Sequence, residues 1–316
     1  MQIKGFALAP LLKRTGKEML NDGIPGLAAQ TAYYFFFSLF PLFLFLTPLL
    51  GVVGDEQKTF GFIMQKLSGA IPADAFRMVS DVVRQVVFDK DAPGVASVGA
   101  LLALWSGSNI FSSLMDALNR AYDVKETRPW WKTKIISVLA VVVAGVILVT
   151  ATVILVGGED VVNVIVGWIG LDGSSRQIWA VMQVPLAVLM LIGLAWAQFL
   201  ILPNLRQNKW HALTGAVVAT LLWIIVTLVF RLYVQSFGNY NKTYGAFGGI
   251  IVLLTWMYLS MLVLLAGGEL ASELHKGTGA NHARQGAVLN GRIAAGGRPR
   301  ASTDRGPVPM HADSRD

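Results

Sequence analysis

The residues of this chain that could do chemistry lie within or beside long apolar runs. Ser106, Asn109, Ser113, Asp116 and Arg120 follow one another at steps of three and four residues, which places them on one face of one helix. Small Gly107, Ser108 and Ser112 lie beside them. Polar groups in hydrocarbon are costly unless bonded, so this stripe must face neighbouring helices or water. Two chemistries fit it. Serine and asparagine can glue membrane helices together, or they can line a path for a polar solute, and the residue types alone leave both open. Asp116 and Arg120, at the end of the run, also suit an intrahelical ion pair or a gate; an exposed pair of that kind contributes only about 0.3–0.5 kcal/mol.

A second face carries Gln30, Tyr34, Ser38 and Pro41, again at steps of three and four. Pro41 and Pro48, and later Pro185 and Pro203, predict bent helices able to enclose a cavity, because proline frees a carbonyl and pushes on the preceding turn. Gln183 and Gln198 are deep polar side chains that need internal partners. Glu269 follows Gly267 and Gly268 and stands four residues before Glu273, at the edge of an apolar run. It reads as a proton or cation site, or as an interfacial carboxylate bonded to water. Gly245 and Gly249 form a GxxxG face suited to close helix packing, with Tyr240 and Tyr244 at the interface.

Enzyme signatures are missing from the sequence. His211, His275, His282 and His311 include no metal-binding pair at helical spacing, and there is no cysteine. No phosphate-binding loop, nucleophile elbow or zinc-protease helix occurs. A nuclease working through metal ions needs clustered carboxylates or histidines. The expectation is therefore no enzyme, no cofactor and no metal.

The elements that must position these residues follow from composition. Of 316 residues, 54% are hydrophobic and only 14% charged, against about 25% charged in soluble domains. Six runs free of Asp, Glu, Lys and Arg are long enough to cross a bilayer, which takes about 20 helical residues. They predict spans at about 27–53, 94–115, 135–158, 177–203, 210–230 and 243–268. Val138 to Val156 is apolar nearly all round, as lipid requires and water does not. The fold class is an all-α integral membrane protein, six transmembrane helices in one bundle, over residues 1–276.

The net charge of +7 is a matter of topology. Of the 26 Lys and Arg, 18 fall in the N-terminal segment, the second-to-third and fourth-to-fifth connections and the tail, and 8 in the other three connections. This distribution predicts a bacterial inner-membrane location with both termini cytoplasmic. It also accounts for the basic loops without any specific nucleic-acid partner. The expected partners are membrane lipids, with an envelope partner or a second copy of the chain as further candidates. Between the first two spans, Phe76, Val79, Val83 and Val86 recur at helical steps and predict an outer amphipathic helix. A shorter apolar piece, Val161 to Leu171, is expected at the outer interface. Residues 277–316, rich in Gly, Pro, Arg and Ser, read as a disordered basic tail.

Several stretches resemble the YihY/BrkB family of bacterial inner-membrane proteins: "AAQTAYYFFFSLFPLFLFL", "LNRAYDV" and "YNKTYGAFGGIIVLLTWMYLSMLVLLAGGELASEL". The resemblance covers roughly Lys17 to Leu274 and implies a six-helix membrane bundle. It implies little settled chemistry: members have carried a ribonuclease name widely regarded as a misattribution, and others are described as virulence factors. Movement of lipid or other envelope material is the activity the resemblance suggests. The polar path would then be Gln30, Tyr34, Ser38, Ser106, Asn109, Ser113, Asp116, Arg120, Gln183, Gln198 and Glu269. The rival reading is a non-catalytic envelope scaffold.

Overall fold

The computed structural model describes residues 2–3, 6–52, 92–156, 175–236 and 240–296. The amphipathic segment expected between Asp55 and Asp91 and the apolar piece at Val161 to Leu171 lie outside these residues. The described residues are helical apart from turns and one short antiparallel ladder, β1 (Gln2–Ile3) with β2 (Phe6–Ala7). The helices are α1 (Leu8–Asn21), α2 (Ile24–Val52), α3 (Ala92–Ala121), α4 (Trp130–Val156), α5 (Ser175–Ile201), α6 (Lys209–Ser236) and α7 (Tyr240–Gly296). Five stretches, Ser97–Ala121, Trp130–Thr152, Val181–Ile201, Lys209–Val234 and Gly248–Gly277, are long and apolar enough to cross a membrane. The first expected span falls on α2. This is a helical membrane protein.

The apolar faces explain the arrangement. Large side chains such as Leu101, Val146, Val149, Leu189, Leu228 and Leu232 are exposed on the helix surfaces, where only hydrocarbon could satisfy them. The core collects Met115, Leu118, Phe199, Leu202 and Leu265, all fully or almost fully buried. These residues sit towards the end of the bundle that carries the α3–α4 and α5–α6 turns.

Helix α1 has no counterpart among the expected elements. Its Leu11 packs against Leu270 and Leu274 of α7, and the Thr15 hydroxyl donates to the Leu11 carbonyl at 3.0 Å. Gly23, at φ 67°, ends α1 in the left-handed conformation that glycine adopts without a Cβ penalty. It turns the chain directly into α2. At the end of α3, Asp123 takes φ 55°, and bonds from Asp123 N to Arg120 O (3.0 Å) and Val124 N to Asn119 O (2.9 Å) close a Schellman motif.

Two prolines behave differently. Pro185 lies inside α5, as expected, whereas Pro203 falls after Ile201, in the turn, because the helix ends just before it. Contacts divide the chain into the units Met1–His275 and Lys276–Asp316. Helix α7 continues to Gly296, past Gly277 where the sequence predicts an irregular tail; Ala280, Arg284, Gln285 and Leu289 are good helix formers. Residues 297–316 lie outside the described residues.

Candidate functional site

The second-span stripe does not act as one unit. The Ser113 hydroxyl is buried and shares a 2.7 Å hydrogen bond with Thr31 of α2, which itself donates to the Leu27 carbonyl at 2.8 Å. Ser112 pairs with Ser137 of α4 at 3.1 Å. Asn109 turns to α4 as well, its Oδ1 accepting from Lys134 Nζ at 3.1 Å. Ser106 donates to its own helix at the Ala103 carbonyl. One helix face is thus shared between two neighbours.

The charged end of the stripe also departs from expectation. Arg120 donates to the Asp22 carbonyl at 3.2 Å rather than closing on Asp116, and Asp116 stays exposed. The α1–α2 turn brings that carbonyl within reach, and a guanidinium gains more from an oriented carbonyl than from a solvated carboxylate one turn away.

The first-span face is divided too. Ser38 is buried and donates to the Phe35 carbonyl at 2.7 Å, and Tyr34 is half-buried beside Tyr33. Gln30 is exposed, contrary to its place on an inward face. Ala28, Thr31 and Ala32 form the buried side of α2, and Gln30 stands about 200° round the helix from Ala28. Gln183 is half-buried. Gln198 holds its Oε1 in the interior with no hydrogen-bond partner among the described residues.

The expected close packing at Gly245 and Gly249 is not found at Gly249, which is exposed and has nothing near the place of a Cβ. Gly245 lies outside the residues whose surroundings are described. Close approach occurs instead between α6 and α7. A Cβ on Gly267 would stand 2.5 Å from the Ala219 Cβ and 2.6 Å from the Gly215 carbonyl oxygen, and one on Gly215 would meet Ala271 Cβ at 2.8 Å. Each helix contributes a small-xxx-small pair, Gly215 with Ala219 and Gly267 with Ala271, so the backbones nearly touch.

That contact carries Glu269 inward. Glu269 is fully buried and Glu273 nearly so, both on α7 just beyond the glycine pair. Gly268 keeps the same stretch against Leu118, where a Cβ would lie 2.5 Å from Cδ2. At the same end of the bundle lie Ser272, buried Tyr122, His275 and buried His211. The rings of His211 and His275 are 6.3 Å apart and those of Tyr122 and His275 6.1 Å. The Ser272 hydroxyl donates to the Ala121 carbonyl at 2.6 Å, and Arg14 of α1 pairs with Glu273 at 3.2 Å. Burial pushes the Tyr122 phenol well above its ordinary pKa, and the negative charge of Glu269 adds to the shift. Tyr122 therefore stays protonated and donates to the Gln207 amide oxygen.

Beside this acid cluster the two turns are riveted together. Arg128 grips Glu126 through Nε (2.8 Å) and Nη2 (2.6 Å) and also donates to the Leu202 carbonyl at 2.7 Å. Asn119 donates to Glu126 at 2.9 Å and accepts from the Asn204 backbone at 2.7 Å. Asn204 in turn donates to the Lys125 carbonyl and to Thr127. The Arg128 bonds hold the Glu126 carboxyl down at about 2. Among the described residues no group of three or more His, Asp or Glu is placed to hold a metal ion.

Sequence reasoning selected Glu269 but missed its company. His211 and His275 are 64 residues apart in the chain, so no spacing rule links them. Asn119, Arg128 and Asn204 meet only because two turns lie side by side. A usable signal was the density of Asn, Gln and Arg in the α5–α6 turn, LPNLRQN, a composition that favours bonds to backbone carbonyls.

The comparisons agree with a membrane bundle. A family model described as Virulence factor BrkB matches residues 15–288. A Bacillus subtilis protein, YfkH, described as ribonuclease-like, is 34% identical over 250 residues, covering 79% of this chain and 89% of its own. A UPF0761 membrane protein of Tolumonas auensis is 27% identical over 272 residues, covering 82% and 83%, and one of Alteromonas mediterranea is 27% identical over 264, covering 82% and 85%. No solved structure matches. The matched stretch takes in α2 to α6 whole and most of α7, from the Thr31–Ser113 bond to the buried carboxylates, and by that match the chain belongs to the BrkB virulence-factor family of membrane proteins.

Proposed function

We propose that the protein crosses the bacterial inner membrane six times with both termini cytoplasmic, and that it moves lipid or another envelope-related substrate across that membrane. The observation that carries this reading is the buried carboxylate pair, Glu269 and Glu273, at the end of the candidate span Gly248–Gly277, with the charge of Glu269 felt by the buried Tyr122 phenol. Ionisable groups inside a membrane helix are expensive, and they mark substrate or proton pathways when they persist. A purely structural bundle would gain more from Leu at Glu269. The ribonuclease-like description of YfkH supports no such role here, because the acid cluster is enclosed by packed side chains and offers no surface to a polymer.

The test is movement of a fluorescent phospholipid between leaflets of vesicles holding the purified protein. Wild type should accelerate it, and Glu269→Gln should slow it at least about tenfold, as for loss of a proton-transfer group, with unchanged thermal stability. Equal rates in wild-type and empty vesicles would sink the proposal. A second reading, a non-catalytic scaffold, is favoured by the Thr31–Ser113 and Ser112–Ser137 bonds, which satisfy polar groups wholly within the bundle. It requires that Glu269→Gln change stability and nothing else. Orientation has its own check: the chain has no cysteine, so a cysteine placed at Lys125 should be shielded from an impermeant thiol reagent in intact cells while one at Asp172 labels.

A further inference from the structure

Lys134 points away from the membrane surface nearest to it. Lysines near a helix end extend their ammonium towards the closer interface, and the Cβ of a helical residue leans towards the helix N-terminus. For Lys134, one turn into α4, both tendencies lead back towards Trp130. The observed direction is the reverse. The Ser112–Ser137 bond and the seat of Gly107 against Val141 set the antiparallel register of α3 and α4. In that register Lys134 is level with Met115, yet its ammonium donates to Asn109 and lies 4.0 Å from the centroid of the Trp105 ring. Asn109 is about 9 Å deeper along α3 than Met115. The charge is thereby held well inside the span.

Its surroundings are incomplete for a cation at that depth. An ammonium has three donors; Asn109 takes one, the indole face supplies quadrupole attraction, and no carboxylate among the described residues pairs with it. The cleft opens outward, since Trp105 is 56% exposed and Leu101 and Leu102, one turn along the same helix, are exposed as well. Asn109 has its Nδ2 still to donate.

We propose that the α3–α4 cleft binds the phosphate group of an anionic phospholipid drawn below headgroup level. Lys134 supplies the charge, Asn109 Nδ2 a second hydrogen bond, and the Trp105 face with Leu101 the seat for the adjoining acyl chain. The apolar flanks select a lipid over a soluble phosphate. This names the substrate class for the transport reading and rests on that reading only for the purpose of the site, not for its existence.

The test is native mass spectrometry of the purified full-length protein, offered phosphatidylglycerol or phosphatidylcholine with identical acyl chains. Wild type should retain phosphatidylglycerol about fivefold better, the effect of one favourable lysine contact; Lys134→Met should abolish the preference and Lys134→Arg keep it. Equal retention of the two lipids by wild type overturns the proposal, and that comparison stands even if Lys134→Met does not fold. An unchanged preference in folded Lys134→Met overturns it too. Displacement of the lipid by millimolar inorganic phosphate would replace it with a soluble-anion site. Retention of phosphatidylglycerol without any leaflet movement in vesicles leaves the site intact and removes the transport reading. Leaflet movement without the lipid preference does the opposite.

Discussion

The two ends of this bundle are held by different forces. At the end bearing the α3–α4 and α5–α6 turns, Arg128, Asn119 and Asn204 tie one turn to the other, and Leu118 and Phe199 are closed off beneath them. Towards the other end, Val98, Leu101, Val149, Leu155, Leu228 and Leu232 face outwards. Directional bonds fix the first region, while the second presents apolar side chains to lipid, which is as apolar as they are. Apolar side chains exposed on helix surfaces can change their packing at small cost. The riveted end is therefore suited to be the base about which the other moves, and the buried carboxylates sit on that base.

The comparison breaks most visibly at the α6–α7 contact. Gly267→Leu would drive a side chain into Ala219 and the Gly215 carbonyl, and an overpacked backbone contact of this kind costs about 3 kcal/mol or more. Thermal unfolding in detergent should show the loss of the folded protein; a stable variant would mean that the helices do not meet there. A smaller effect comes from the rivet. Glu126 is held at about 2, against an ordinary 4.5, so its contribution is fully present above about pH 4.5 and is lost as pH falls towards 2. Wild type should lose stability across that window, and Glu126→Gln should flatten that part of the profile; parallel profiles would remove Glu126 from the base. The mid-bundle bond comes next: Thr31→Val should cost roughly 0.6 kcal/mol and no more than about 1.7, the range measured for such bonds. A larger loss would extend the directional region into the middle of the membrane. Least of all should change at Val149→Leu on the exposed face, where a shift under about 0.5 kcal/mol is expected, read as an unmoved melting temperature.

Much of this contrast could be read in the sequence, and the reason is physical. Hydrocarbon forbids charge over a whole helix length, so the apolar spans within α3 to α7 follow from the spacing of Lys, Arg, Asp and Glu. Partner choice follows no such rule. That Ser113 faces inward follows from its type, but that it meets Thr31 while Asn109 meets Lys134 depends on a rotation of α3 that no periodicity encodes. The GxxxG motif at Gly245 and Gly249 shows the same limit, since small-xxx-small pairs also stand at Gly215 with Ala219 and Gly267 with Ala271, and only the crossing itself chooses between them. Helix α1 was legible in principle. Leu8, Leu11, Thr15 and Met19 recur at helical steps between Lys13, Arg14, Lys17 and Glu18.

The bond between Arg14 and Glu273 joins the first described helix, α1, to the last, α7. During translation, α3 and α6 are made before α7 exists, so the Ala121 carbonyl that Ser272 will meet and the small face at Gly215 and Ala219 must wait. The final helix acts as a closing bolt. A ribosome that stops short of residue 269 leaves a set of inserted helices with an unfilled seam, a form that a membrane protease can tell from the finished protein without reading any part of its function.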